Sequence, residues 1–186
     1  NFRVSHVTTH VSLRQVPDLV KKERVLRVIQ LTDEALRKMN FKEPRIAVAG
    51  LNPHSGEEGL FGREEIEEIE PAVKEAKLLG IDAEGPVPPD TVFVKMRGGQ
   101  YDAVVAMYHD QGHIPTKLVG FKYDDKLSKW GSLSGVNTTL GLPIIRTSVD
   151  HGVAFGKAGK GTANPESMID AIKLAAIMAS GKNELT

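Results

Sequence analysis

The sequence predicts an α/β fold with a mixed, mostly parallel sheet flanked by helices. Three observations lead there. Short runs that are apolar after their first residue, Arg45–Leu51 and Asp102–Tyr108, read as strands buried on both faces. Stretches with apolar residues at three and four spacing alternate with them and read as amphipathic helices. Gly- and Pro-rich segments separate the two kinds.

The elements follow in order. Residues 2–9 alternate β-branched residues and read as a strand. Pro17-Asp18 opens a helical pattern over 18–39, with Val20, Val25, Ile29, Ala35, Leu36 and Met39 as its stripe and Asn40 at its end. Residues 45–51 form a strand and 52–62 a loop. Residues 63–79 read as a helix that Gly80 stops. A strand and a proline-rich loop fill 81–90, and 102–108 is a strand ending at His109. Residues 111–121 turn helical near their start. Residues 122–135 are polar, hold Trp130, and suggest a loop or hairpin insertion. A strand at 143–148, a glycine-rich loop at 150–161 and a helix at 165–180 close the chain, with Pro165 near the first helical turn.

The chain has 186 residues, with 24 basic and 24 acidic side chains and a formal net charge of zero. No basic excess marks a nucleic-acid or membrane-surface binder. Cysteine is absent, which excludes thiolate metal sites, disulfides and cysteine nucleophiles. No apolar run has the length of a membrane span, so a soluble, cytoplasmic protein is expected. The sequence starts in mid-strand at Asn1, which suggests a preceding N-terminal portion.

His10, His54 and His109 each follow a strand. Ligands of open α/β sheets bind outside the carboxyl ends of the strands. Three neutral imidazoles placed there suit a divalent cation and leave it open to substrate. The alternative is that each is a loop or core residue with an ordinary hydrogen bond. Asp150-His151-Gly152-Val153-Ala154 and Ala158–Pro165 form a second group, whose glycines let the backbone approach a ligand or make only a flexible loop. Lys117, Asn137 and Arg146 are isolated polar residues in apolar surroundings, and Arg146 suits either a bound carboxylate or phosphate or a surface salt bridge. Asp90, after two prolines, reads as a turn or helix cap, or as a general acid/base if it faces the cation. Glu64-Glu65, Glu67-Glu68 and Glu70 read as a solvated helix face without function.

Leu51-Asn52-Pro53-His54, Gly62-Arg63-Glu64-Glu65, Pro89-Asp90-Thr91, Ala106–Gly112 and Gly141–Gly152 together resemble 4-hydroxythreonine-4-phosphate dehydrogenase, from about Val7 to about Ala179. The glycine loop resembles the adenine-binding loop of the isopropylmalate and isocitrate dehydrogenases. That resemblance implies their fold, and residues 1–186 as the C-terminal portion of a longer two-domain enzyme. It implies a divalent metal (zinc, magnesium, cobalt or manganese) on His10, His54 and His109, at a homodimer interface with ligands from both subunits. It implies substrate contacts at Lys117, Asn137 and Arg146, and NAD or NADP held by His151, Gly152, Ala154, Gly159, Gly161 and Asn164; for catalysis, Asp90, or Lys117 in neutral form, is the expected acceptor of the substrate hydroxyl proton. The family reaction oxidises and decarboxylates 4-phosphooxy-L-threonine to 3-amino-2-oxopropyl phosphate in pyridoxal 5'-phosphate biosynthesis. The length of 122–135 resembles a branch acting on 4-phospho-D-threonate or 4-phospho-D-erythronate. A metal- or nucleotide-binding module without catalysis is the competing expectation for the isolated chain.

Overall fold

The computed structural model describes residues 2–120, 123–124, 129–130, 135–153 and 155–181. The chain divides into two compact units, Asn1–Arg37 with Phe41–Thr116, and Lys38–Asn40 with Lys117–Thr186. Among the described residues no helix is long and apolar enough to cross a membrane.

In the first unit, β1 (Val4–His6), β2 (Ile46–Ala49), β3 (Ala83–Val87) and β4 (Ala103–Ala106) form a parallel sheet ordered β1-β4-β2-β3. Every residue of β2 and β4 is buried, as their apolar runs require. The helices are α1 (Val16–Leu19), α2 (Lys22–Lys38), α3 (Glu70–Leu78), α4 (Pro89–Arg97) and the start of α5 (His109–Gly120). Side chains alternate along a strand, so each strand serves two cores. Ile46, Val48, Ala103 and Val105 pack with Val25, Ile29 and Leu36 of α2 and Ala72, Val73 and Ala76 of α3. Ala47, Ala49, Val104 and Ala106 pack with Val92, Phe93 and Met96 of α4.

The strand order explains this division. The β2–α3–β3 and β3–α4–β4 crossovers run in opposite directions along the sheet. Right-handed crossovers then place α3 and α4 on opposite faces. After β4 the chain enters α5, whose Gly112 lies so close to Val4 and His6 of β1 that a Cβ there would collide with both. Val4 belongs to the α4 core, so α5 leaves on that face. The neighbouring strands β2 and β4 therefore release their chains to opposite faces, and the crevice between their carboxyl ends is a topological switch point.

Three of the differences from expectation concern helix starts. The helix predicted from residue 18 begins at Lys22, because Val20 leaves helical geometry at φ −79°, ψ 88°. The apolar spacing runs on through the break, since Val16, Val20 and Val25 are all buried. The Glu68 carboxylate accepts a 2.7 Å hydrogen bond from the Lys22 N–H and so caps α2. Pro89 and Asp90 open helix α4 rather than ending a loop, with prolines where the first turn tolerates them. Helix 63–79 starts with a π-helical turn at Glu65–Ile69 before α3. Its predicted stop holds: Gly80 takes φ +81°, with Gly80 N–H bonded to Lys77 O and Ile81 N–H to Ala76 O.

In the second unit, β5 (Tyr123–Asp124) and β6 (Lys129–Trp130) pair antiparallel, consistent with a hairpin in the expected insertion. β7 (Val136–Thr139) pairs antiparallel with β8 (Arg146–Val149). β7 went unread because its pattern is half polar, and β8 starts at Arg146 rather than Pro143, which has no N–H to give a ladder. Helix α6 (Glu166–Ser180) matches the predicted closing helix and takes a 2.9 Å hydrogen bond from Thr147 Oγ1 of β8 at Ala171 O.

Candidate functional site

The carboxyl ends of β1, β2 and β4 are tied together by polar groups. β1 pairing continues past its end, with Val7 N–H donating to Ala106 O at 2.8 Å and Thr8 N–H to Met107 O at 3.1 Å. The buried Thr8 hydroxyl donates to the same Met107 carbonyl at 2.8 Å. This delivers His10 beside His109, the first residue of α5, with ring centroids 5.9 Å apart. Gln111 spans the switch point. Its Oε1 accepts from Met107 N–H at 2.7 Å, and its Nε2 donates to Gly50 O at 2.8 Å, joining the ends of β4 and β2.

His54 sits on an unusual turn. His54, Ser55, Gly56, Glu57 and Glu58 have φ of 52°, 56°, 82°, 45° and 54°. A left-handed backbone costs roughly 1–2 kcal/mol per non-glycine residue. Four such residues within a run of five need support from outside the turn. That support is Glu65, at 2 % relative exposure. Its Oε1 accepts from the N–H groups of Leu51 and Asn52, both at 2.7 Å, and its Oε2 accepts from Asn52 Nδ2 at 2.9 Å. Asn52 Nδ2 also donates to Glu64 Oε2 at 2.8 Å. The expectation of a solvated, functionless acidic face is therefore corrected at Glu65, which lies inside, and at Glu68, which caps α2. The signal was present: Glu65 shares one helical stripe with the buried Ile69, Ala72, Val73 and Ala76.

His54 and His109 share one chemical pattern. His54 Nδ1 bonds Glu57 Oε2 at 2.8 Å, and His109 Nδ1 bonds Asp110 Oδ1 at 2.7 Å. A carboxylate on Nδ1 fixes the ring and leaves Nε2 as the coordinating nitrogen, the usual surrounding of a metal-binding imidazole. The donor chemistry thus fits a divalent cation. Among the described residues of one chain, no group of three His, Cys, Asp or Glu side chains could hold a metal ion. The chain joins His10 to His109, while the ring near His54 is Phe61, edge-on at 6.1 Å. Two further histidines went unremarked in the sequence. His113 stacks on His6 at 4.7 Å and lies 4.2 Å from the His109 ring. Burial, with the nearby His113 and His109, pushes the His6 imidazole down to about 4. Asp90 is exposed in the first turn of α4, at the carboxyl end of β3, where a carboxylate complements the helix N-terminus.

In the second unit, Lys117 Nζ donates to Asp150 Oδ2 at 2.8 Å and to Asp150 O at 3.3 Å. The β7–β8 register pairs Asn137 with Ser148 and Thr139 with Arg146. Residues opposite each other share a face, so Asn137 and Arg146 lie on one side and Thr147 on the other, toward α6. Both Asn137 and Arg146 are exposed, and Arg146 Nη1 donates to Thr139 Oγ1 at 2.7 Å. The hairpin thus offers an amide and a guanidinium on one exposed face. Residues 151–153 and 155–164 are exposed. His151 Nδ1 donates to Gly152 O at 2.9 Å. Gly159 and Gly161 take φ of +71° and +61°, which a side chain would strain. Asn164 Oδ1 accepts from Glu166 N–H at 2.9 Å and so caps α6. Ala154 lies outside the described residues.

Comparison with known proteins agrees with this architecture. Residues 1–175 match the family described as pyridoxal phosphate biosynthetic protein PdxA. A D-threonate 4-phosphate dehydrogenase of Pectobacterium atrosepticum is 54 % identical over 178 residues, 96 % of this chain and 51 % of the relative. A 4-hydroxythreonine-4-phosphate dehydrogenase of Desulforapulum autotrophicum is 52 % identical over 180 residues, 96 % of this chain and 50 % of the relative. The crystal structure of a 4-hydroxythreonine-4-phosphate dehydrogenase from Klebsiella pneumoniae superposes with a TM-score of 0.80 at 52 % identity, covering 95 % of this chain and 50 % of that one. The chain therefore spans about half the length of these relatives.

Proposed function

The chain belongs to the pyridoxal phosphate biosynthetic protein PdxA family, and from that premise we propose that it supplies the metal- and cofactor-binding part of an NAD- or NADP-dependent dehydrogenase for a small 4-phosphorylated hydroxy acid. The observation that carries this reading is the pair of carboxylate-backed imidazoles, His54 and His109, at the ends of β2 and β4. Together with His10 they would hold the divalent cation. His10 and His109 meet within one chain and His54 meets neither ring, which favours a homodimer in which a second copy completes the set.

The bound cation would supply Lewis acidity toward the substrate hydroxyl. The other roles fall to side chains of this chain. Arg146 and Asn137, on one face of the hairpin, would orient a phosphate or carboxylate of the substrate. Lys117 would add a second positive contact, held in place by Asp150, and is the alternative proton acceptor. Asp90 would take the hydroxyl proton, and bound NAD⁺ or NADP⁺ would supply the hydride acceptor; the resulting 3-oxo acid would lose CO₂, its C–C electron pair passing to the ketone as an enolate that then takes up a proton. The loop from His151 to Asn164 would carry the nucleotide on exposed backbone, with Gly159 and Gly161 supplying its left-handed turns.

D-threonate 4-phosphate is the preferred substrate in this reading. Relatives bearing that activity in their names reach 59 % and 54 % identity. The 52 % identical 4-hydroxythreonine-4-phosphate dehydrogenase supports the second reading. The test supplies each phosphate, with NAD⁺ or NADP⁺ and a divalent metal, to the full-length protein and follows reduced nicotinamide. Faster turnover of D-threonate 4-phosphate is expected, with a loss of at least about a hundredfold in His109→Ala. Turnover that survives both chelation and His109→Ala would falsify the scheme.

A further inference from the structure

We propose that Glu65 is a positioning residue for His54: its buried carboxylate is the internal anion around which the left-handed turn folds. This rests on the reading of His54 as a metal ligand.

The geometry is that of a small anion site whose anion belongs to the chain. The N–H groups of Leu51 and Asn52, immediately after β2, both point at Glu65 Oε1, and the Asn52 amide closes on Oε2. Two glycines make room for it, and a third makes room for its Asn52 donor. A Cβ on Gly56 would come 2.7 Å from Glu65 Oε2, and one on Gly50 would come 3.2 Å from Oε1 and 3.0 Å from Ser55 Cα. A Cβ on Gly62 would collide with Asn52 Nδ2 and Glu64 Oε2. Gly56 and Gly62 also take φ of +82° and +147°, so side chains there would be strained in any case. The loop from Gly50 to Gly62 is thus cut to fit one carboxylate.

Glu65 is also the first residue of the π-helical turn that precedes α3. An extra residue in a helical turn re-aims side chains and recurs at functional sites. Here the turn and the helical stripe together place Glu65 inward, against the loop rather than in water. A carboxylate this buried needs its full set of donors. Conversely, removing it leaves two strand-end N–H groups without an acceptor and the Asn52 amide held by Glu64 Oε2. The residues that lose their anchor are the two directly before Pro53 and His54. Glu65 therefore acts on the metal through the placement of His54, as carboxylates behind metal-binding histidines do. It touches neither the imidazole nor a reacting atom.

The experiment measures cobalt(II) affinity by competition titration on the full-length protein, with thermal midpoints alongside. The variants are Glu65→Ala, Glu65→Gln, His54→Ala and Glu65→Ala/His54→Ala. Val73→Ala, in the buried stripe of α3, controls for general loss of stability. Glu65→Ala should weaken cobalt binding about 10–100-fold. Glu65→Gln keeps one acceptor oxygen for the two N–H groups and should recover most of that loss. Val73→Ala should lower the midpoint and leave affinity unchanged. The double variant should bind no more weakly than His54→Ala, because one effect acts through the other. Should Glu65→Ala fail to fold, Asn52→Ala with Glu65→Gln provides the same comparison. Wild-type affinity in folded Glu65→Ala, or in Asn52→Ala where Glu65→Ala does not fold, with weakened His54→Ala, overturns the role of Glu65 alone. Wild-type affinity in His54→Ala overturns the metal reading and this inference with it.

Discussion

The two units present their candidate residues on different kinds of support. In the first, His10, His54 and His109 come off the carboxyl ends of parallel strands whose central members are buried on both faces. Polar side chains then fix where the chain goes next: the buried Thr8 behind His10, the buried Glu65 behind His54 and the half-buried Gln111 between β2 and β4. In the second, Asn137 and Arg146 stand on a two-stranded hairpin, and the glycine loop is exposed along its described length. A metal tolerates little error in ligand placement, so its histidines need a preorganised frame. A phosphate or a nucleotide can be gathered by exposed donors that settle around it, at some entropic cost.

The sharpest way to break this comparison is to truncate one isoleucine in each unit. Ile29 of α2 is fully buried, and Ile29→Ala should cost about 2–5 kcal/mol in urea unfolding. Ile172 of α6 is 62 % exposed, and Ile172→Ala should stay within about 0.5 kcal/mol. Equal losses would mean that the α6 face is covered and that the two units are built alike. Gln111→Ala comes next. It strips partners from Met107 N–H and Gly50 O and should cost about 1–3 kcal/mol, with weaker metal binding. A stability loss without any change in metal affinity would confine Gln111 to the fold.

Lys117→Ala should show the opposite balance. The Lys117–Asp150 pair is partly exposed, so its loss should cost about 1 kcal/mol or less, while KM for the phosphorylated substrate rises about tenfold or more. An unchanged KM would remove Lys117 from the substrate site. The smallest effect concerns pH. Burial alone would raise the Asp102 carboxyl, but Arg45, bonding it through backbone N–H and guanidinium, outweighs this and holds it below the ordinary carboxylate value. The folded state therefore binds this proton more weakly than the unfolded chain. Its stabilisation is present above the unfolded carboxylate range and is lost as pH falls through the lower folded value. Asp102→Asn should flatten that acid limb of the urea midpoint. An identical limb in both proteins would assign it to other carboxylates.

The legible parts of the fold were those where one signal decides. β2 and β4 are wholly apolar, and Gly80 and Pro165 bound their helices as residues of their kind do. Helix α4 was hidden because prolines that favour a first turn also favour loops. β7 was hidden because two of its four residues are threonines and its strand character comes from pairing with β8. At the site, strand-end placement singled out the three histidines, and the structure joined two of them. The third, His54, lies against Phe61 instead, a placement about which periodicity says nothing. Glu65 was lost for a different reason. Its neighbours are acidic and the run reads as one charged face, although its place on the apolar stripe sets it apart.

The central claim is that the strand ends of the first unit hold a divalent metal through the nitrogens left by the Nδ1–carboxylate pairs. Anomalous diffraction from crystals of the full-length protein grown with cobalt(II) tests it most directly. The account predicts one strong peak per chain, bonded by Nε2 of His54 and His109 and by His10, with ligands drawn from two copies. A peak elsewhere, or none at saturating cobalt, would contradict it.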